Sequence, residues 1–103
     1  MAGLPKALAR AKAPLDSAPT VVTVPASKRW IITNIVMTNS GTATVTASMA
    51  IDGVPIISNA QLGANGILTL DCAQVLEAGK GFSYSSNTAN ALNVHISGVE
   101  MDA

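Results

Sequence analysis

The side chains that could do nucleophilic or metal chemistry are few and lie apart in the sequence. Cys72 is the only cysteine and His95 the only histidine among 103 residues. One of each cannot build a zinc site, and a catalytic thiol would need His95 as its base. The alternation around His95 places it with Asn93 and Ser97 on the polar face of a predicted strand. We therefore expect His95 on a surface or at an interface, and a buried, inert Cys72.

The carboxylates also lack the spacing of a catalytic or metal-binding site. Asp52 is explained by a turn, and Asp71 and Glu77 flank a loop that is poor in further ligands. Gly79 and Gly81 lie between predicted strands and not before a helix, so they do not form a phosphate-binding loop. The sequence therefore predicts no enzyme, no metal and no cofactor.

Three aromatic residues, Trp30, Phe82 and Tyr84, bear on carbohydrate binding, which usually uses several exposed aromatic side chains. Phe82 and Tyr84 share one face of an alternating segment, which is typical of core positions. Trp30 follows Lys28 and Arg29 and is a candidate partner contact, because Trp is enriched at binding hot spots. A place at the margin of the core fits Trp30 equally well.

Composition favours a protein that is covered by other protein. Charged residues make up 12% of the chain, about half the usual share, and the formal net charge is zero. A small β domain coated with Thr, Ser and Asn would also fit. No basic stripe indicates nucleic-acid binding, and no apolar run is long enough to span a membrane. The N-terminal segment lacks the apolar stretch of a signal peptide, so we expect synthesis and assembly inside a cell.

Residues 20–103 carry the signature of an all-β domain. Thr42–Ile51 has the clearest alternation, with apolar residues on one face and Thr or Ser on the other. Asp52-Gly53 then predicts a tight hairpin turn, and Pro55 predicts that the returning strand, Val54–Ser58, lies at a sheet edge. Apolar parity changes near Gly98 in the last strand, which predicts a β-bulge there.

Further short β-type segments complete the domain, and turn signals recur about every ten residues. They are Thr20–Val24, Arg29–Asn39, Gly66–Asp71, Val75-Leu76, Phe82–Ser86 and Ala91–Met101, with a loop at Asn59–Asn65. The pattern predicts an antiparallel, jelly-roll-like β-sandwich of seven or eight short strands.

Residues 1–19 differ from this body and are predicted to be an extended N-terminal arm. Leu4–Lys12 can form about two helical turns, which are marginal in isolation, and Ala13–Pro19 holds two prolines and reads as a linker. The arm carries a net charge of +2 and the body −2. We therefore expect an arm that is ordered on contact with a partner, with an ordinary frayed terminus as the alternative. The predicted partner-binding residues are Leu4, Lys6, Leu8, Arg10 and Lys12, together with Trp30.

Two stretches resemble small β-sandwich structural proteins of tailed bacteriophages. Thr23–Arg29 (TVPASKR), followed by Ile31–Asn39, resembles the opening of those proteins, although Ser27 stands where the pattern has Gly. Val75–Gly81 (VLEAGKG) and Asn93–Glu100 (NVHISGVE) resemble their ending. The resemblance covers residues 20–101 and rests mainly on turn chemistry. It implies a virion structural role and brings no catalytic residues.

Together the residues and the resemblance lead us to expect a capsid decoration protein, assembled in the host cytoplasm and located on the virion. Its partners would be the major capsid protein or another virion protein, and further copies of itself, with a trimer favoured. A tail, baseplate or fibre-attachment protein is the alternative within the same class. A glycan-binding module is the alternative from another class.

Overall fold

In the computed structural model, which describes residues 3–103, the chain forms eight β-strands and no helix. No segment of these residues is a helix long and apolar enough to cross a membrane. The strands are β1 (Leu4–Lys12), β2 (Thr20–Thr23), β3 (Lys28–Asn39), β4 (Val45–Ile51), β5 (Val54–Leu62), β6 (Ile67–Leu76), β7 (Gly81–Ser86) and β8 (Leu92–Asp102).

The strands form two four-stranded antiparallel sheets, which we call sheet A (β1-β8-β3-β6) and sheet B (β2-β7-β4-β5). Strands β1 and β8, β2 and β7, β3 and β6, and β4 and β5 are antiparallel neighbours. The chain is therefore one long hairpin rolled over into two sheets, which is the jelly-roll arrangement. This confirms the all-β prediction.

The core between the sheets is mainly aliphatic, as the composition indicates. Alternation in β4 buries Val45, Ala47 and Met49 as predicted, and β7 buries both Phe82 and Tyr84. Strands β3 and β8 lie side by side in the middle of sheet A and supply the largest share of the fully buried side chains, including Ile32, Ile35, Met37, Leu92, Val94 and Ile96. The ring centroids of Phe82 and Tyr84 lie 6.4 Å apart, with an angle of 29° between the ring planes.

The hairpin prediction is confirmed at Asp52-Gly53, where φ is 51° and 79°. Positive φ at both central residues is the geometry of a type I′ turn, which matches the twist of β4 and β5. Strand β5 lies at the edge of sheet B, as Pro55 indicates. The loop predicted over Asn59–Asn65 is too long, because β5 continues to Leu62 past a kink at Asn59, whose φ is 50°.

The bulge predicted near Gly98 lies at the right level of sheet A, but the extra residues belong to the neighbouring strands. Leu8 in β1 is unpaired between the partners of Ser97 and Ile96, and Thr33 in β3 is unpaired between the partners of Gly98 and Ser97. Burial alternates without a break in β8 as far as Gly98, whereas β3 changes parity at Thr33. The sequence pattern therefore located the irregularity but assigned it to the wrong strand.

The sequence left open whether Leu4–Lys12 is helical or extended, and the structure shows that it is strand β1 at the edge of sheet A. Two isolated helical turns are marginal, whereas the free edge of β8 offers hydrogen-bond partners along the whole segment. Pro5 is tolerated because an edge strand leaves one side unpaired. The arm thus packs on the body, and Met1 and Ala2 lie outside the described residues. The division into residues 1–19 and 20–103 as separate units stays a prediction.

Candidate interaction surface

The six residues predicted to bind a partner separate into an exposed and a buried group. Leu4, Lys6, Arg10 and Lys12 are exposed on β1, and Leu4 retains 72% of its accessible surface. Leu8 and Trp30 are buried in the core of their own chain. Strand β1 brings the exposed four to one edge of sheet A, where they remain candidates. Intramolecular contacts cover Leu8 and Trp30 within the single chain, and a partner-binding role for these two residues stays a prediction.

Trp30 is held at the margin of the core by a small polar cluster. Its indole Nε1 donates a hydrogen bond to Glu100 Oε2 at 2.8 Å. Lys6 Nζ donates to the same oxygen at 2.9 Å and lies 5.6 Å from the centre of the indole ring. The indole N–H first, and then Lys6, hold the pKa of the Glu100 carboxyl below its usual value, because both stabilise the carboxylate. This cluster connects β1, β3 and β8.

Leu8 packs over the one position in β8 that has no side chain. A Cβ atom at Gly98 would lie 2.9 Å from Leu8 Cδ1 and would collide with the carbonyl oxygen of Ile31. Glycine is therefore required sterically where β1 and β3 approach β8 closely. The contact between Leu8 and Gly98 therefore fixes the position of β1 on sheet A.

The outer face of sheet A carries a feature that the sequence reasoning missed. Four apolar residues, one from each strand, lie in register across the sheet: Pro5, Val99, Ile31 and Val75. We call them the apolar row. Val75 is 55% exposed, Pro5 is exposed, and Ile31 and Val99 are half-buried. The signal was an apolar residue at an outward position between buried neighbours, as Ile31 is between Trp30 and Ile32.

Polar groups border the apolar row on both sides. On one side Asn34, paired in register with Ser97, donates to Asp71 Oδ1 at 2.7 Å. On the other side Arg29 Nε lies 3.1 Å from Glu77 Oε2. An apolar centre within a polar rim is the usual composition of a protein–protein interface.

The outer face of sheet B has a different character. Small side chains of the central strands, Ser48, Ala50, Ser83 and Ser85, line a shallow depression of about 160 Å³. Pro19 and Pro55 also contribute to its walls. It contains no aromatic side chain, since all three aromatic residues of the chain are buried in the core.

The side chains that could act in catalysis or metal binding also lie far apart in the structure. His95 is exposed on sheet A. Cys72 is half-buried, and its thiol donates a hydrogen bond to the Ile32 carbonyl at 3.4 Å. Burial, and then the nearby Asp71 carboxylate, raise the pKa of this thiol. Asp71 and Glu77 are engaged by Asn34 and Arg29 respectively. No group of three or more His, Cys, Asp or Glu side chains that could hold a metal ion occurs within residues 3–103.

Comparison with known proteins shows similarity of fold without similarity of sequence. No family model matches the chain, and no curated protein matches it. The coat protein of Tobacco streak virus has a similar structure, with a TM-score of 0.53 and 9% identity over 99% of this chain and 85% of that one. This likeness agrees with the jelly-roll arrangement and extends to the fold alone.

Two carbohydrate-related structures are more distant. A C-terminal carbohydrate-binding module, the CBM6 of the laminarinase LamC from Zobellia galactanivorans, has a TM-score of 0.40 and 12% identity over 97% of this chain and all of that one. An exo-β-1,3-galactanase from Phanerochaete chrysosporium has a TM-score of 0.38 and 11% identity over 96% of this chain and 29% of that one.

Proposed function

We propose that this chain is a structural protein of a bacteriophage particle, and specifically a decoration protein that binds the outer surface of the head and stabilises it. The observation that carries the proposal is the apolar row, which crosses all four strands of sheet A between polar borders. Three inter-strand spacings make it roughly 14 Å wide. An exposed apolar strip within a polar rim marks a surface that another protein covers.

In this proposal, two surfaces of sheet A bind different partners. The apolar row, with its polar rim, packs against a second copy of the chain in a small oligomer, for which we favour a trimer. The exposed residues of β1, Leu4, Lys6, Arg10 and Lys12, contact the major capsid protein. Each contact is weak alone, and repetition over a shell multiplies it through valency. No catalytic step is part of the proposed role.

The alternatives are distinguished by where the protein is found and what it binds. A tail or baseplate protein would use the same surfaces to stack along an axis. A glycan-binding role that depends on Trp30 has less support, because the indole is 4% exposed and its N–H already bonds to Glu100.

The test is to purify particles of the phage that encodes the chain, separate heads from tails, and quantify the chain in each fraction by mass spectrometry. We expect it in the head fraction at a fixed ratio to the major capsid protein. Its presence in tails alone would favour the stacking alternative, and its absence from both fractions would refute a virion role. Shells stripped of the chain should rebind it saturably, with a plateau at the same ratio.

A further inference from the structure

Few side chains attach strand β1 to the molecule, and most of its contact is the backbone pairing with β8. Its single neighbour in the sheet is β8. Within Leu4–Lys12 only Leu8 is buried, and seven of the nine residues are exposed. The other side-chain attachments, the ion pair of Lys6 with Glu100 and the hydrogen bond of Lys12 to Asn93, lie at the surface, where such contacts contribute little to stability.

The residues that follow β1 are, by contrast, firmly fastened. The Ala13 N–H donates to the Leu92 carbonyl at 2.8 Å, and the Ala13 carbonyl accepts from Asn90 at 3.1 Å. Ser86 bonds to both Pro14 and Asp16 through its backbone, at 2.9 Å in each case. Ala13 is fully buried. The chain therefore has a fixed point at Ala13–Asp16, with a loosely held strand on its N-terminal side.

The length of this strand allows it to reach another molecule. Residues 3–12 span roughly 33 Å when extended. The molecule measures 45 × 23 × 18 Å along its principal axes, so the released strand exceeds both shorter dimensions. Because Ala13 stays fixed, an exchanged β1 requires a second copy whose own β8 begins beside Ala13 of the first chain.

The surface of β8 that contacts β1 is complementary to it in shape and charge. Leu8 occupies the space above Gly98, and its neighbours Lys6 and Arg10 bring positive charge with no acidic residue in the strand. Strand β8 carries Glu100 and Asp102 at the end where Lys6 docks. These features suit the same sequence arriving from another chain.

We propose that β1 exchanges between copies, so that β1 of one chain pairs with β8 of a second copy. Leu8 then packs on Gly98, and Lys6 bonds to Glu100, of the second copy. Exchange of an identical element preserves these contacts and costs little free energy. The inference rests on the proposed assembly function and specifies how copies are linked.

The test uses pairs of single-cysteine chains in a C72S background. Ala7 and Ser97 are exposed cross-strand partners between β1 and β8. One population carries A7C and the other S97C, and they are mixed by brief unfolding and refolding, then oxidised. Exchange places β1 of one chain on β8 of the other and so links these cysteines in a heterodimer. The linkage by exchange should persist when both chains also carry Val75→Asp, which weakens packing through the apolar row, whereas linkage across packed faces should not. Mass spectrometry identifies the linked peptides.

The matched control mixes chains that carry A50C or S83C, which are cross-strand partners between β4 and β7 inside sheet B. Exchange of β1 does not place these two positions of different chains together. We expect the A7C–S97C heterodimer to form at least about tenfold faster than the A50C–S83C heterodimer, since docking raises the effective concentration into the millimolar range. Equal rates for the two pairs would overturn the exchange.

Binding to stripped phage heads separates this inference from the proposed function. Chains with A7C and S97C in the same molecule, oxidised so that β1 is fixed on its own β8, are added to the heads. Full occupancy together with equal heterodimer rates would refute exchange and leave the decoration role standing. Fast A7C–S97C linkage without any head binding by the unmodified chain would support exchange and refute the decoration role.

Discussion

The two edge strands of sheet A, β1 and β6, differ in how they are protected against pairing with strands of other molecules. Strand β1 combines Pro5, a bulge at Leu8 and three cationic residues, all of which discourage pairing with unrelated strands. Strand β6 is ten residues long and has no Lys, Arg or Pro. Its outward side chains include Ile67 and Val75, which are 69% and 55% exposed.

The less protected strand, β6, is the one that packs more side chains against the core. Strand β6 buries Leu76 and packs Leu68, Leu70 and Cys72 against the core. Strand β1 buries Leu8 and packs only the small Ala9 beside it against the core. The loosely attached edge is thus the one protected against wrong partners, and the firmly attached edge is the one left open. This difference agrees with the proposed exchange of β1, for which β6 serves as a fixed part of sheet A.

The largest expected effect tests the difference in attachment. Leu76→Ala leaves a cavity under β6 and should lower the free energy of unfolding by about 3 kcal/mol. Leu8→Ala should cost less, about 1–2 kcal/mol, because β1 lies at an edge and the site above Gly98 can collapse. Urea unfolding of both variants measures the comparison. A greater loss for Leu8→Ala would show that β1 is not the weaker attachment.

A smaller effect concerns the carboxylate that holds β1 to Trp30. Glu100→Gln removes the charge that Lys6 pairs with, so the melting temperature should fall at neutral pH. The pKa of Glu100 is lowered from its ordinary value of 4.5, so the wild type has this stabilisation above that pH and loses it as the pH falls through the lowered pKa. The difference in melting temperature between wild type and Glu100→Gln should therefore vanish in acid.

Asp102→Asn is the control for this prediction, because it removes the exposed ion pair with Lys28 and leaves Trp30 untouched. It should change the melting temperature at neutral pH by less than Glu100→Gln does. A difference between wild type and Glu100→Gln that persists undiminished in acid would mean that the charge of Glu100 is not what fastens β1.

The smallest effect on stability is expected at Arg10, which is exposed and lies opposite His95. Arg10→Glu should change the free energy of unfolding by less than about 0.5 kcal/mol, as is usual for surface substitutions. It should nevertheless weaken binding to phage heads, if the exposed cationic side chains of β1 contact the capsid. Thr23→Glu, on the exposed edge strand β2, is the matched control and should leave head binding unchanged.

Most of the sandwich could be predicted from the sequence because its signals are local. The alternation of β4 and the Asp52-Gly53 turn depend on neighbouring residues only. The conformation of Leu4–Lys12 could not be predicted in this way, since its pattern is ambiguous and the free edge of β8 decides the outcome. Tertiary context overrode a weak helical propensity.

The interaction surface was predicted only in part for the same reason. Of the residues predicted to bind a partner, the cations of β1 are exposed whereas Leu8 and Trp30 are buried, and partner binding itself stays a prediction. The apolar row depends on the register between four strands that are distant in sequence, with bulges that shift parity in β1 and β3. No local pattern contains that information.

The central claim is that the apolar row forms a protein–protein interface of the virion, and one measurement tests it most directly. Saturable binding to stripped phage heads is compared for Val75→Asp, within the row, and Thr69→Asp, which lies on the same strand and the same exposed face outside it. We predict that Val75→Asp, by weakening the contact between copies, raises the apparent Kd for the heads at least about tenfold, the effect of about 1.4 kcal/mol, so that occupancy falls at subsaturating concentration. Thr69→Asp should bind as the wild type does. Equal occupancy for the two variants would contradict the account.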